Sequence, residues 1–193
     1  LMDDTEGTFA DAIKKSLLLK TQKSQDVYWN QSLSWLFVQQ KEYGKAFVQE
    51  KAVYKRNPES FYNIVTLARL AIEEKQNEDA TTILTFVLEN TQDLELQMQA
   101  HHFLLSMEIE SALQKEYATI DLKLQDLLKK YGISPYSLDL QILSAHFKTF
   151  YLNQSKSGIE LLQNTLKLPL NLRDQSKVKM ELADIMVYDE KFN

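Results

Sequence analysis

Three alanines, Ala12, Ala46 and Ala80, stand at equal steps of 34 residues, each within a similar stretch of chain. The stretches read Phe9-Ala10-Asp11-Ala12-Ile13, Tyr43-Gly44-Lys45-Ala46-Phe47 and Asn77-Glu78-Asp79-Ala80-Thr81. Self-similarity at that period marks a chain that repeats one helix–turn–helix unit, each unit burying the apolar face its neighbour leaves open. With only 4 Gly and 3 Pro in 193 residues, turn-formers are too scarce for a strand-rich fold. The expected fold is therefore all-α, built from antiparallel helix pairs.

Apolar spacing predicts a first helix over 8–22, then pairs 26–40 with 43–56, 60–74 with 77–90, 94–113 with 116–131, and 135–152 with 157–168. A last helix covers 174–188. The repeat units are 26–56, 60–90, 94–131 and 135–168, flanked by partial units at 8–22 and 174–193. Asn57-Pro58, Gly132-Ile133-Ser134-Pro135 and Leu168-Pro169 supply the breaks. Ser134 before Pro135 suits an N-cap followed by Pro in the first turn, and Ser157 with Glu160 has capping-box spacing.

The residues at the helix crossings carry a resemblance. Leu33-Ser34 with Phe37, then Tyr43, Ala46, Val53 and Pro58 form the best copy. Leu67-Ala68 with Ala71, then Ala80, Leu84 and Val87 form the next, and Leu182-Ala183 with Met186 begin a last one. This pattern resembles the tetratricopeptide repeat family. The resemblance implies one continuous right-handed superhelix over 1–193 whose first helices line a concave face. Between 94 and 168 the pattern departs: Glu108 and His146 stand where the family has a small residue, and the second helices, marked by Ile120 and Gly158, are spaced more widely. The stretch from Ser34 to Phe47 is also similar to long tetratricopeptide proteins of Bacteroidetes, which implies a segment of a longer repeat protein, with periplasmic or cytoplasmic placement both open.

Composition excludes several chemistries. A net charge of −5 lacks the clustered Lys and Arg of a nucleic-acid surface. No apolar run approaches the ~20 residues of a membrane span. The absence of Cys removes thiolate metal sites and cysteine nucleophiles. His101 and His102 are adjacent, so on a helix they diverge by about 100°. His146 has no acid one turn away, and no Gly-rich phosphate loop or nucleophile elbow is present. The reading is non-enzymatic, with no cofactor and no metal.

Aromatics point to a surface instead. In the repeat register, Tyr28, Gln31, Trp35, Gln39, Tyr62, Arg69, Glu73, His102, Phe147 and Tyr151 fall on the first-helix side that lines the concave face in the family. Exposed Trp, Tyr and Arg are the residues that most often anchor protein partners. The expected function is a scaffold binding a peptide or partner helix in that groove. The alternative is a spacer within a larger repeat protein, with no ligand of its own. In the same register Ala46 and Ala80 face inward and Gln49 faces outward.

Overall fold

The computed structural model describes the backbone of residues 8–192 and the side chains of 9–190. Ten α-helices run through them: α1 (Thr8–Lys23), α2 (Val27–Gln39), α3 (Tyr43–Tyr54), α4 (Phe61–Glu73), α5 (Asn77–Asn90), α6 (Leu94–Ser111), α7 (Tyr117–Tyr131), α8 (Leu138–Phe150), α9 (Ser155–Thr165) and α10 (Leu172–Phe192). Single 3₁₀ turns at Pro58–Ser60, Gln114–Glu116 and Pro135–Ser137 lead into α4, α7 and α8. The chain divides into two compact units, Leu1–Asn90 and Thr91–Asn193.

In the first unit, consecutive helices pack in pairs, α2 on α3 and α4 on α5, with α1 against α2 and α4 against α3. The residues of both repeat copies form its core: Leu33, Ser34, Phe37, Tyr43, Ala46 and Val53, then Leu67, Ala68, Ala71, Ala80, Leu84 and Val87, are all buried. Ala46 and Ala80 are fully buried, and their bare methyl groups are what let the paired helices approach closely. The turns repeat as well. Lys41 (φ 56°) and Lys75 (φ 57°), also 34 residues apart, take the left-handed conformation that ends a helix. The amides that follow close the same bond back into the helix, Glu42 N–H to Phe37 O (2.9 Å) and Gln76 N–H to Ala71 O (2.8 Å).

Polar contacts lock the unit. Asn30, buried in α2, accepts from Arg56 Nη1 (2.8 Å) and donates to Gln49 Oε1 (2.9 Å). Gln49 is thus half-buried and bonded, not outward-facing; Val48, 55% exposed, holds the outward position. Asp79, in the first turn of α5, accepts from the Gly44 N–H (2.7 Å) at the start of α3. That carboxylate sits where helix-terminal amides are unsatisfied, which favours negative charge. Lys14 reaches from α1 to Gln40 (3.1 Å) and Glu42 (3.2 Å). Burial would raise the Glu42 pKa, but hydrogen bonds from Lys45 and Lys14 outweigh it and hold the carboxyl below its usual value. Ala12, the first of the three spaced alanines, is exposed, as are Phe9, Leu18 and Leu19 on the same helix.

In the second unit the pairing is uneven. α8 and α9 are intimately packed, whereas α6 packs more on α8 than on α7. Glu108 of α6, where a small residue was expected, pairs with Lys123 of α7 at 2.6 Å in an ion pair open to solvent. The loop there, Ala112-Leu113, is extended and lacks the left-handed turn. At α8 the small residue is Ala145, fully buried, one position before His146. Opposite it, a Cβ on Gly158 would fall 2.9 Å from the Ala145 carbonyl oxygen and closer still to Thr149 Oγ1. α9 begins at Ser155 rather than 157, with Gln154 at the N-cap position making no side-chain bond, so Ser157 and Glu160 form no capping box. In α10, Val178 and Ile185 turn inward, while Ala183 and Met186 are exposed.

Two substitutions test these crossings. Ala46→Leu or Ala80→Leu overpacks a filled interface and should cost about 1–3 kcal/mol in urea denaturation, whereas Val48→Ala should stay within about 0.5 kcal/mol. Gly158→Ala, despite alanine's higher helix propensity, should also lose about 1–3 kcal/mol, because the Ala145 carbonyl is backbone and has no rotamer with which to move aside.

Candidate functional site

The outer faces of α2 and α4 each carry a row set by helical spacing. Tyr28, Gln31, Trp35 and Gln39 recur at three- and four-residue steps on α2, and all four are exposed. Trp35 is 55% accessible and Tyr28 59%, although neither ring is needed by the core. On α4, Tyr62, Arg69 and Glu73 are exposed on one stripe, Tyr62 at 64%. The opposite faces hold Leu33 and Phe37, and Ile64 and Leu67, all buried, so neither row can rotate inward without exposing the core. Local bonds fix the start of α2: Asp26 caps the Tyr28 N–H at 2.9 Å, and the Tyr28 ring meets Trp29 edge-on at 5.0 Å.

The other three expected groove residues lie in the second unit, and one of them departs from expectation. Phe147 is fully buried. It packs with Leu105, Ile109, Ile120 and Leu124, and Tyr117 meets it edge-on at 5.6 Å. Side chains of α6 and α7 thus enclose the ring, and it faces no groove. Tyr151 stacks on it at 5.2 Å and is half-buried. His102 is also half-buried, its Nδ1 without a hydrogen bond of good geometry. Burial lowers its pKa, with Asp139 opposing and Lys177 reinforcing that shift. Burial and then Lys130 lower that of His101.

A recess that the sequence did not indicate lies in this unit, at the N-terminal ends of α6, α8 and α10. One part, about 190 Å³, is lined by Met98, Tyr136, Leu138, Asp139 and Lys177 among others. The other, about 510 Å³, shares Glu95, Met98 and Tyr136 and continues along Leu94, Lys130 and Tyr131. Its walls are built by specific bonds. Asp93 caps α6 through the Glu95 and Leu96 amides (2.8 and 3.3 Å). Gly132, at φ 75°, ends α7 in a conformation that side chains resist. Gln141, fully buried, then fastens the following turn: its Nε2 donates to Ser134 O (2.8 Å) and Ser137 Oγ (2.9 Å), while its Oε1 accepts from Thr165 of α9 (2.7 Å). Tyr136 therefore projects from a fixed turn at 77% exposure. The available signal was an aromatic beside Pro135 in a loop, which reads equally as ordinary turn sequence.

The remaining polar pairs hold helices together. His146 Nδ1 meets Glu181 of α10 at 2.9 Å, an acid 35 residues away rather than one helical turn. Lys148 pairs with Asp121 at 3.2 Å. Among the described residues no group of His, Cys, Asp or Glu is arranged to hold a metal ion, and no helix is long and apolar enough to cross a membrane. Comparisons with protein-family models, curated proteins and solved structures found no match.

Two outcomes check this geometry. Gln141→Leu removes a buried amide and its three bonds, while Thr165 Oγ1 keeps Leu161 O (2.9 Å) and Ser134 O keeps the Ser137 donors, so the loss should be about 1 kcal/mol by chemical denaturation. The histidines give a pH signature. Their folded pKa values lie below the ordinary 6.5, so protons bind the unfolded chain more readily and stability falls as pH drops below about 6.5. Denaturation midpoints should decline between pH 7.5 and 5.5, with a smaller decline in His102→Gln.

Proposed function

We propose that this chain is a non-enzymatic scaffold of tetratricopeptide-like repeats, in which the helix pairs form a right-handed solenoid and the first helices bind a peptide or partner helix. The observation that carries the reading is the exposure of Tyr28, Trp35 and Tyr62 on rigid helices whose other faces are fully engaged. A large ring held in water gains free energy when a partner covers it, roughly 25 cal/mol per Å² of apolar area. Because these rings stand on packed helices, little conformational entropy is lost on binding. Gln31, Gln39, Arg69 and Glu73 surround them with groups able to direct hydrogen bonds. Support for the repeat assignment comes from the burial of both motif copies and from the left-handed turns recurring at the same 34-residue step.

A spacer role is the second reading. The exposed apolar side chains of α1 (Phe9, Leu18, Leu19) and α10 (Met180, Met186, Val187) favour it, since such faces suit packing against further helices. The two readings diverge at Trp35. As a binding residue, Trp35→Ala should weaken capture of a native partner by about 1–2 kcal/mol or more with melting temperature nearly unchanged, and Arg69→Ala should weaken the same capture. Quantitative capture from the source cell with the wild type and both variants makes the comparison. A stability loss at Trp35→Ala with every captured protein retained would support the spacer.

A further inference from the structure

We infer that the recess at the N-terminal ends of α6, α8 and α10 is a separate docking site for a short basic protein segment carrying an apolar anchor. It uses residues of the second unit only, so it stands or falls independently of the α2 and α4 rows.

The recess has the anatomy of an anchor site. Met98 and Leu138 form an apolar floor, each nearly buried, while Tyr136 and Leu94 rise beside it at 77% and 59% exposure. The larger part falls within the ~300–1,000 Å³ that binding pockets usually occupy. Its wall is preorganised, because the turn bearing Tyr136 is tied to Gln141 and through it to α9. An apolar side chain entering there covers Tyr136 and Leu94 without ordering a loop.

The rim selects the sign of the partner. Four carboxylates, Asp93, Glu95, Asp139 and Asp174, border the recess against two ammonium groups, Lys130 and Lys177. Lys177 and Asp139 pair at 3.2 Å and offset one another, which leaves Asp93, Glu95 and Asp174 against Lys130. Lys130 lies over the Tyr131 ring, 4.7 Å from its centre, and contacts its hydroxyl. The helix N-termini at Asp93 and Asp174 offset part of this negative charge but do not reverse it. A Lys or Arg flanking the anchor therefore meets carboxylates, and an acidic segment meets repulsion. The carboxylates do not converge on one point, which separates this arrangement from a cation site.

The test uses the full chain, ¹⁵N-labelled, titrated with the amidated peptide Gly-Lys-Lys-Leu-Phe-Lys-Lys-Gly. Two control peptides replace the four lysines by glutamates, or the Leu-Phe anchor by Ala-Ala. Saturable amide shifts confined to the surroundings of Glu95, Met98, Tyr136 and Lys177 are expected, with both controls weaker by about tenfold or more. Tyr136→Ala and Glu95→Lys should each weaken binding about tenfold with the melting temperature unchanged, and Trp35→Ala should leave it unaltered. Absence of saturable binding overturns the proposal, as does equal binding of either control or shifts spread over the acidic surface. Sedimentation showing a dimer that Tyr136→Ala abolishes would also overturn it, by assigning the recess to a second copy of the chain.

Discussion

The distance at which two helices cross governs this protein. Where the residue at a crossing is Ala46, Ala80 or the Ala145–Gly158 pair, the backbones come close enough for the large apolar residues on either side to interdigitate. Around α6 the arrangement differs: it packs more on α8 than on α7, and Glu108 meets Lys123 in an ion pair open to solvent. Leu105 and Ile109 of α6 and Ile120 and Leu124 of α7 meet Phe147 of α8 in one cluster, so three helices enclose a ring that spacing alone placed on a surface.

Buried polar groups supply the second level of order. Asn30, Gln49 and Arg56 join α2 to the end of α3, and Gln141 joins the turn before α8 to α9. Such networks add little net stability while intact, but leaving one member unpaired is expensive, so they hold a single arrangement. Both candidate surfaces depend on that rigidity. Trp35 and Tyr62 stand on helices that cannot rotate without opening the core, and Tyr136 stands on a turn held from beneath.

Much of this was legible in the residues. The ten helices lie within a few residues of the spans set by apolar periodicity, because burying one stripe per helix dominates the energetics of an all-α chain. The two motif copies between Leu33 and Val87 are buried as a repeat requires, and Tyr28, Trp35 and Tyr62 are exposed as their register implies. In this stretch local pattern and packing agree, since α2–α3 and α4–α5 bury matching positions and α3 packs on α4. Periodicity fails where partners differ: it placed Phe147 on a surface, His146 in place of Ala145 and Gln49 on an outer face, each decided by a residue on another helix.

The sequence by itself determined the helices, the pairing of α2 with α3, α4 with α5 and α8 with α9, the buried positions between Leu33 and Val87, and the absence of thiol chemistry. These follow from spacing along one chain and from composition. Only the tertiary structure decided that Phe147 is core, which acid meets His146, and that Leu94, Met98 and Tyr136 border one recess. Those outcomes depend on how closely separate helices approach. That distance is set by side chains on different helices, such as Ala145 and Gly158, whose fit no local period encodes.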